Sequence, residues 1–107
     1  MIGKVYKITN LDNNKVYIGT TVQPLKNVLS LYQSQYKSYL KNNHKKKVSY
    51  YEILKSNNVK IELLKEIVNN YCNFWYDLIS LQIQYISEYK SRCVNKRLPP
   101  LPRKIST

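Results

Sequence analysis

Residues Ile2 to Ile8 alternate, and so do Lys15 to Ile18, with Asp12-Asn13-Asn14 between the two runs. Strict alternation puts residues two apart on one face of a strand, and Asn and Asp tolerate the positive φ of a tight turn. The first nineteen residues therefore read as a β-hairpin. Lys4, Tyr6 and Ile8 share one face and Val5 and Lys7 the other, while on the return strand Lys15, Tyr17 and Gly19 oppose Val16 and Ile18. Beyond Gly19 the period lengthens. Leu25, Val28, Leu29, Tyr32, Tyr36, Tyr39 and Leu40 recur at spacings of three and four, which predicts an amphipathic helix over about 23–41 with Pro24 in its first turn.

A polar, basic loop from Asn42 to Lys47 ends that helix, and a short second helix from Ser49 to Lys55 follows. After a turn at Asn57-Asn58, Val59, Ile61 and Leu63 alternate with Lys60 and Glu62 in a third strand that closes on Ile67-Val68. Asn73 suits the N-cap of a third helix that has Asp77 in its first turn, a stripe of Trp75, Ile79, Ile83 and Ile86, and an end near Lys90. The fold class is α+β: a small three-stranded antiparallel sheet flanked by helices, in the order β-β-α-α-β-α. Residues 1–98 form one domain. Residues 99–107 are a basic tail in which Pro99-Pro100-Leu101-Pro102 forbids a helix and favours an extended chain over any PxxP ligand.

Charge narrows the function classes. Eighteen basic residues against six acidic ones leave +12 on 107 residues, a field that draws polyanions. No apolar run is long enough to cross a bilayer, and the charged opening Met1 to Val5 lacks the apolar core of a secretory signal, so an intracellular protein without a membrane partner is expected. Cys72 and Cys93 allow at most one bridge, and with His44 as the single histidine there is no zinc-ligand spacing. His44 is expected to be solvated. Lys, Asn, Tyr and Ile supply 48 residues and alanine is absent, a bias that fits an AT-rich genome such as that of a phage or large DNA virus, placing the protein in a host cell or virion.

Lys4-Val5-Tyr6-Lys7-Ile8-Thr9-Asn10, then Val16-Tyr17-Ile18-Gly19, then Gln23-Pro24-Leu25-Lys26, and finally Tyr85-Ile86 with Cys93-Val94-Asn95-Lys96-Arg97, fall in one order. Together they resemble the GIY-YIG endonucleases over roughly residues 2–98, with Lys4 where the first motif has its leading glycine. The resemblance implies cleavage of DNA phosphodiesters on one face of the sheet with a single divalent ion. It further implies that the motif tyrosines serve as base and phosphate-positioning groups, a helical arginine stabilises the phosphate, a histidine or tyrosine assists, and a glutamate on the last helix holds the metal. Registered on Gln23-Pro24-Leu25, the arginine position is Val28, the assisting position is Tyr32, and the glutamate position is Gln82. Tyr6, Tyr17, Gly19 and Asn95 remain.

Valine has no charge or donor, and a neutral amide cannot neutralise a hard cation, so both departures bear on the same reaction. Lys26 lies two positions from Val28 on another face of the helix, and Glu88 lies about 120° around from Gln82, so neither is a direct replacement. The expectation is a pseudo-nuclease whose relic pocket comprises Tyr6, Tyr17, Gly19, Val28, Tyr32, Gln82 and Asn95. Val28 and Tyr32 are expected to merge into the apolar stripe, and Gln82 and Asn95 to be structural. No cofactor or bound metal is expected. Such a protein would bind DNA, or RNA, through phosphate contacts from Lys26, Lys45, Lys46, Lys47, Arg92, Lys96 and Arg97, with some stacking on interleaved tyrosines. Two other readings stay open. One is a weakly active endonuclease that uses Mg2+ or Mn2+, with Glu88 displaced into the site; the other is a viral assembly protein that binds a protein partner through the face enlarged by Val28 and Tyr32. Oligomeric state has no sequence signal.

Overall fold

A computed structural model describes residues 2–41, 51–54, 58–68, 73–95 and 98–102. The strands are β1 (Ile2–Asn10), β2 (Val16–Thr21) and β3 (Val59–Val68), and the helices are α1 (Leu25–Lys41), α2 (Tyr51–Leu54) and α3 (Phe74–Tyr89), followed by a 3-10 turn at Lys90–Arg92. The expected order β-β-α-α-β-α is the observed one. β1 lies at the centre of a three-stranded antiparallel sheet with order β2-β1-β3.

The hairpin closes as its asparagines require. Asn14 takes φ 65°, the Asn10 amide donates to the Lys15 carbonyl at 2.9 Å, and the Asp12 amide donates to the Asn10 side chain at 2.9 Å. Asn10 is buried and spends its Nδ2 on the Ile53 carbonyl at 3.2 Å, which fastens α2 to the end of β1. At the other end of β2, the Thr21 hydroxyl accepts from the Gln23 amide at 3.0 Å and sets up Pro24. The Pro24 carbonyl then accepts from Asn27 and Val28, so α1 begins directly after the proline.

Because both faces of the sheet are covered, alternation along β1 and β2 serves two cores rather than a core and a surface. Val5, Val16 and Ile18 pack with Phe74, Leu78 and Ile86 of α3. Tyr6 and Ile8, on the opposite face, pack with Val28 of α1 and Ile53 of α2. Gly3 permits the first of these contacts, since a Cβ there would stand 2.5 Å from the Phe74 ring.

Two details differ from the sequence reading. β3 carries a bulge: Val5 pairs with Lys65 but Tyr6 with Leu63, leaving Leu64 as the extra residue. That insertion flips the parity of the strand, so Val59 and Ile61 join the α1 side while Leu64 and Ile67 join the α3 side. In α3 the buried row is Phe74, Leu78, Gln82 and Ile86, which shares Ile86 with the expected stripe but otherwise lies one residue round from it, and Trp75 is 51% exposed. A polar residue in the middle of that row hides it from any search for apolar periodicity. Asn73 occupies the N-cap position without a side-chain capping hydrogen bond.

Candidate functional site

Tyr6, Tyr17, Gly19, Val28 and Tyr32 come together on the α1 side of the sheet. Tyr6 and Gly19 are direct cross-strand partners, and the Tyr6 ring lies across the glycine: a Cβ on Gly19 would stand 2.5 Å from Tyr6 Cζ and press on its hydroxyl. Tyr6 is fully buried, and its hydroxyl shares a hydrogen bond with that of Tyr32 at 2.5 Å. Tyr32 also meets Tyr17 edge-on, with ring centroids 6.0 Å apart. The two motif tyrosines are thus linked through Tyr32, which reaches the sheet from α1 one turn after Val28. Val28 is 7% exposed and packs among Tyr6, Ile8 and Ile53. Tyr17 and Tyr32 are half-buried, unlike Tyr6.

Gln82 and Asn95 meet at a different place, the outer edge of β2. Ile18 turns both of its backbone groups away from β1. Its amide donates to Asn95 Oδ1 at 2.9 Å, and its carbonyl accepts from Asn95 Nδ2 at 2.8 Å and from Gln82 Nε2 at 3.1 Å. The Val94 amide donates to the Val16 carbonyl at 2.8 Å, and Cys93 bridges to Val16 in parallel register. The segment Cys93–Asn95 therefore runs along β2 as a short parallel arm that covers a strand edge. Gln82 is 8% exposed and enters this junction from α3. The Cys93 thiol is free and donates to Asn95 Oδ1; burial holds its pKa above the ordinary thiol value, outweighing hydrogen bonds from the backbone of Asn95 and Ile18.

The basic residues divide. Lys26 is exposed on α1. Arg92 is exposed but engaged, donating from Nε to the Asn14 carbonyl at 2.9 Å and from Nη2 to the Asn14 side chain at 3.0 Å. Its guanidinium also lies 5.4 Å from the centre of the Tyr89 ring, which Lys7 approaches at 5.0 Å. Lys45, Lys46, Lys47, Lys96 and Arg97 lie outside the described residues, as does His44. Among the described residues no three His, Cys, Asp or Glu side chains gather as a metal-binding group, and no helix is long and apolar enough to cross a membrane.

Sequence reasoning did not find the backbone of Ile18 as the point where Gln82 and Asn95 converge, or Asn14 as the partner of Arg92. A main-chain acceptor leaves no trace in residue type, and the Asn14 contact joins positions far apart in the chain.

No family model matches the chain, and no curated protein does. Among solved structures it is similar to the catalytic domain of the intron endonuclease I-TevI, in a variant with one glutamate replaced by alanine. The likeness has a TM-score of 0.62 at 21% identity and covers 95% of this chain and 100% of that one. The chain has a GIY-YIG-like fold. Within that GIY-YIG-like frame the tyrosine cluster lies on the α1 face of the sheet, and the Gln82–Asn95 junction lies at the edge of β2.

Proposed function

We propose that this protein is a GIY-YIG-like pseudo-nuclease that acts as a basic nucleic-acid-binding protein, with DNA as the favoured ligand. The reading is carried by Val28, an apolar side chain buried against Tyr6 at the position where the family resemblance calls for a phosphate-stabilising arginine. Phosphoryl transfer needs fixed positive charge at the developing anion, and loss of one such stabilising group typically slows a reaction by ~10²- to 10³-fold. Tyr6, tied to Tyr32 and covered by Gly19, is in addition poorly placed to take a proton from water.

A divalent ion does not fit the residues present. The donors at the glutamate position are neutral amides, and Gln82 directs an N–H, not an oxygen, at the Ile18 carbonyl. Hard cations prefer carboxylate oxygen. No step of the proposed function runs through a metal.

Binding instead rests on the net charge of +12, with Lys26 and Arg92 as the proposed phosphate contacts among the described residues and Lys45, Lys46, Lys47, Lys96 and Arg97 as further proposed contacts outside them. Neutralising phosphates releases counterions, so affinity should fall steeply with salt. With about four of the seven proposed cations engaging phosphate at once, affinity for a duplex should drop about a hundredfold between 50 and 200 mM salt. Fluorescence anisotropy with duplex DNA and duplex RNA checks this, and a salt-independent or undetectable interaction would refute it. A plasmid-nicking assay with Mg2+ or Mn2+ should show no cutting. Robust cutting abolished by Tyr17→Phe would establish the nuclease alternative in its place.

A further inference from the structure

The Ile18 carbonyl has two lone pairs and two side-chain donors, Gln82 Nε2 at 3.1 Å from α3 and Asn95 Nδ2 at 2.8 Å from the arm. Asn95 returns its Oδ1 to the Ile18 amide, so one side chain imitates a neighbouring strand, and the Val94 amide extends the pairing to Val16. Gln82 is the single polar member of the buried row on α3. A polar side chain holds such a place only when its hydrogen bond repays its burial.

We infer that Gln82 is a positioning residue: its amide latches α3 to β2 at the carbonyl that also holds Asn95, and so locks the Cys93–Asn95 arm onto the sheet edge. The site is built for a hydrogen-bond donor. A carboxylate in this place would set an anionic oxygen against a carbonyl oxygen with no proton between them, and no group of three His, Cys, Asp or Glu side chains stands among the described residues to hold a cation there. Restoring an acid at position 82 therefore loosens the arm instead of rebuilding a metal centre. The comparison with a metal position rests on the pseudo-nuclease reading, whereas the latch concerns folding and is measured without nucleic acid. Failure of one leaves the other standing.

Two variants of the full chain test it. Gln82→Met keeps the length and apolar bulk of the side chain and removes its donor. Amide hydrogen exchange at Val94, whose N–H bonds Val16, should then speed up about tenfold while amides of β1 keep their wild-type rates. Unchanged protection at Val94, or equal loss across β1, would overturn the latch. Gln82→Glu at neutral pH should melt about 5–10 °C below wild type, and millimolar Mn2+ should neither restore the melting temperature nor give a bound-ion EPR signal. A variant as stable as wild type, or one that Mn2+ binds and stabilises, would overturn the exclusion of a cation; a variant that fails to fold without metal but folds with Mn2+ would do the same, and one that folds in neither case agrees with the latch.

Discussion

Gly19 shows how much a single position can fix. It faces Tyr6 across the hairpin, and the tyrosine ring occupies the space that a side chain would need. Gly19→Ala should destabilise the protein by about 2 kcal/mol, as overpacking a filled core does, measured by urea unfolding. Tyr6→Phe is gentler. It removes one phenol from the Tyr6–Tyr32 pair and leaves Tyr32 half-buried with access to water, so a loss of about 1 kcal/mol is expected. That Gly19 and Tyr6 belong to one site was legible, because glycine and tyrosine stand at recognisable places in two short motifs. The mediator between the motif tyrosines was less so: Tyr32 sits on a helix whose apolar stripe accounts for a tyrosine equally well, and only packing shows its ring between the other two. Cys93 adds a chemical readout at the same scale. Its raised pKa keeps the thiol protonated near neutrality, so alkylation should be slower than for an exposed cysteine. Between the ordinary thiol value and the raised one, the unfolded chain loses its proton first, and stability should decline as pH rises through that window.

Among the elements, the hairpin, α1 and β3 follow from periodicity and turn chemistry alone. The period of two in β1 and β2 survives although both faces are covered, because successive residues of each strand turn toward different cores. The stripe of α3 is the instructive failure. Gln82 interrupts the row that is buried, which leaves Trp75, Ile79 and Ile83 as the more apolar reading. The interruption is tolerated because a main-chain acceptor waits at Ile18, and no feature of the sequence announces it. The β3 bulge is hidden for a related reason: residues Leu63-Leu64 are both apolar, so the change of parity occurs where alternation carries no information. The arm can be tested as an element. Asn95→Ala removes both side-chain bonds to Ile18, and with the edge of β2 then open the expected loss is about 1–3 kcal/mol, with faster exchange at the Ile18 and Val94 amides.

For the whole molecule, the net charge of +12 acts in opposite directions on folding and on binding. Like charges on a small domain repel, so salt that screens them should favour the compact state. The same salt weakens attraction to a polyanion by reducing the gain from counterion release. Raising salt from about 20 to 200 mM should therefore raise the melting temperature of the free protein while lowering its affinity for DNA, a crossing of trends that a protein stabilised by surface ion pairs would not give. Individual cations separate the two effects. Lys26 is exposed on a helix with no acidic residue, so Lys26→Gln should flatten the plot of log affinity against log salt by about one unit and leave the melting temperature nearly unchanged. Arg92 also holds Asn14 at the hairpin turn, so Arg92→Gln should flatten the plot and lower the melting temperature together. Were Arg92→Gln to lower stability and leave the salt slope intact, Arg92 would be a brace for the turn and nothing more, and the binding surface would have to be sought on the α1 side with Lys26.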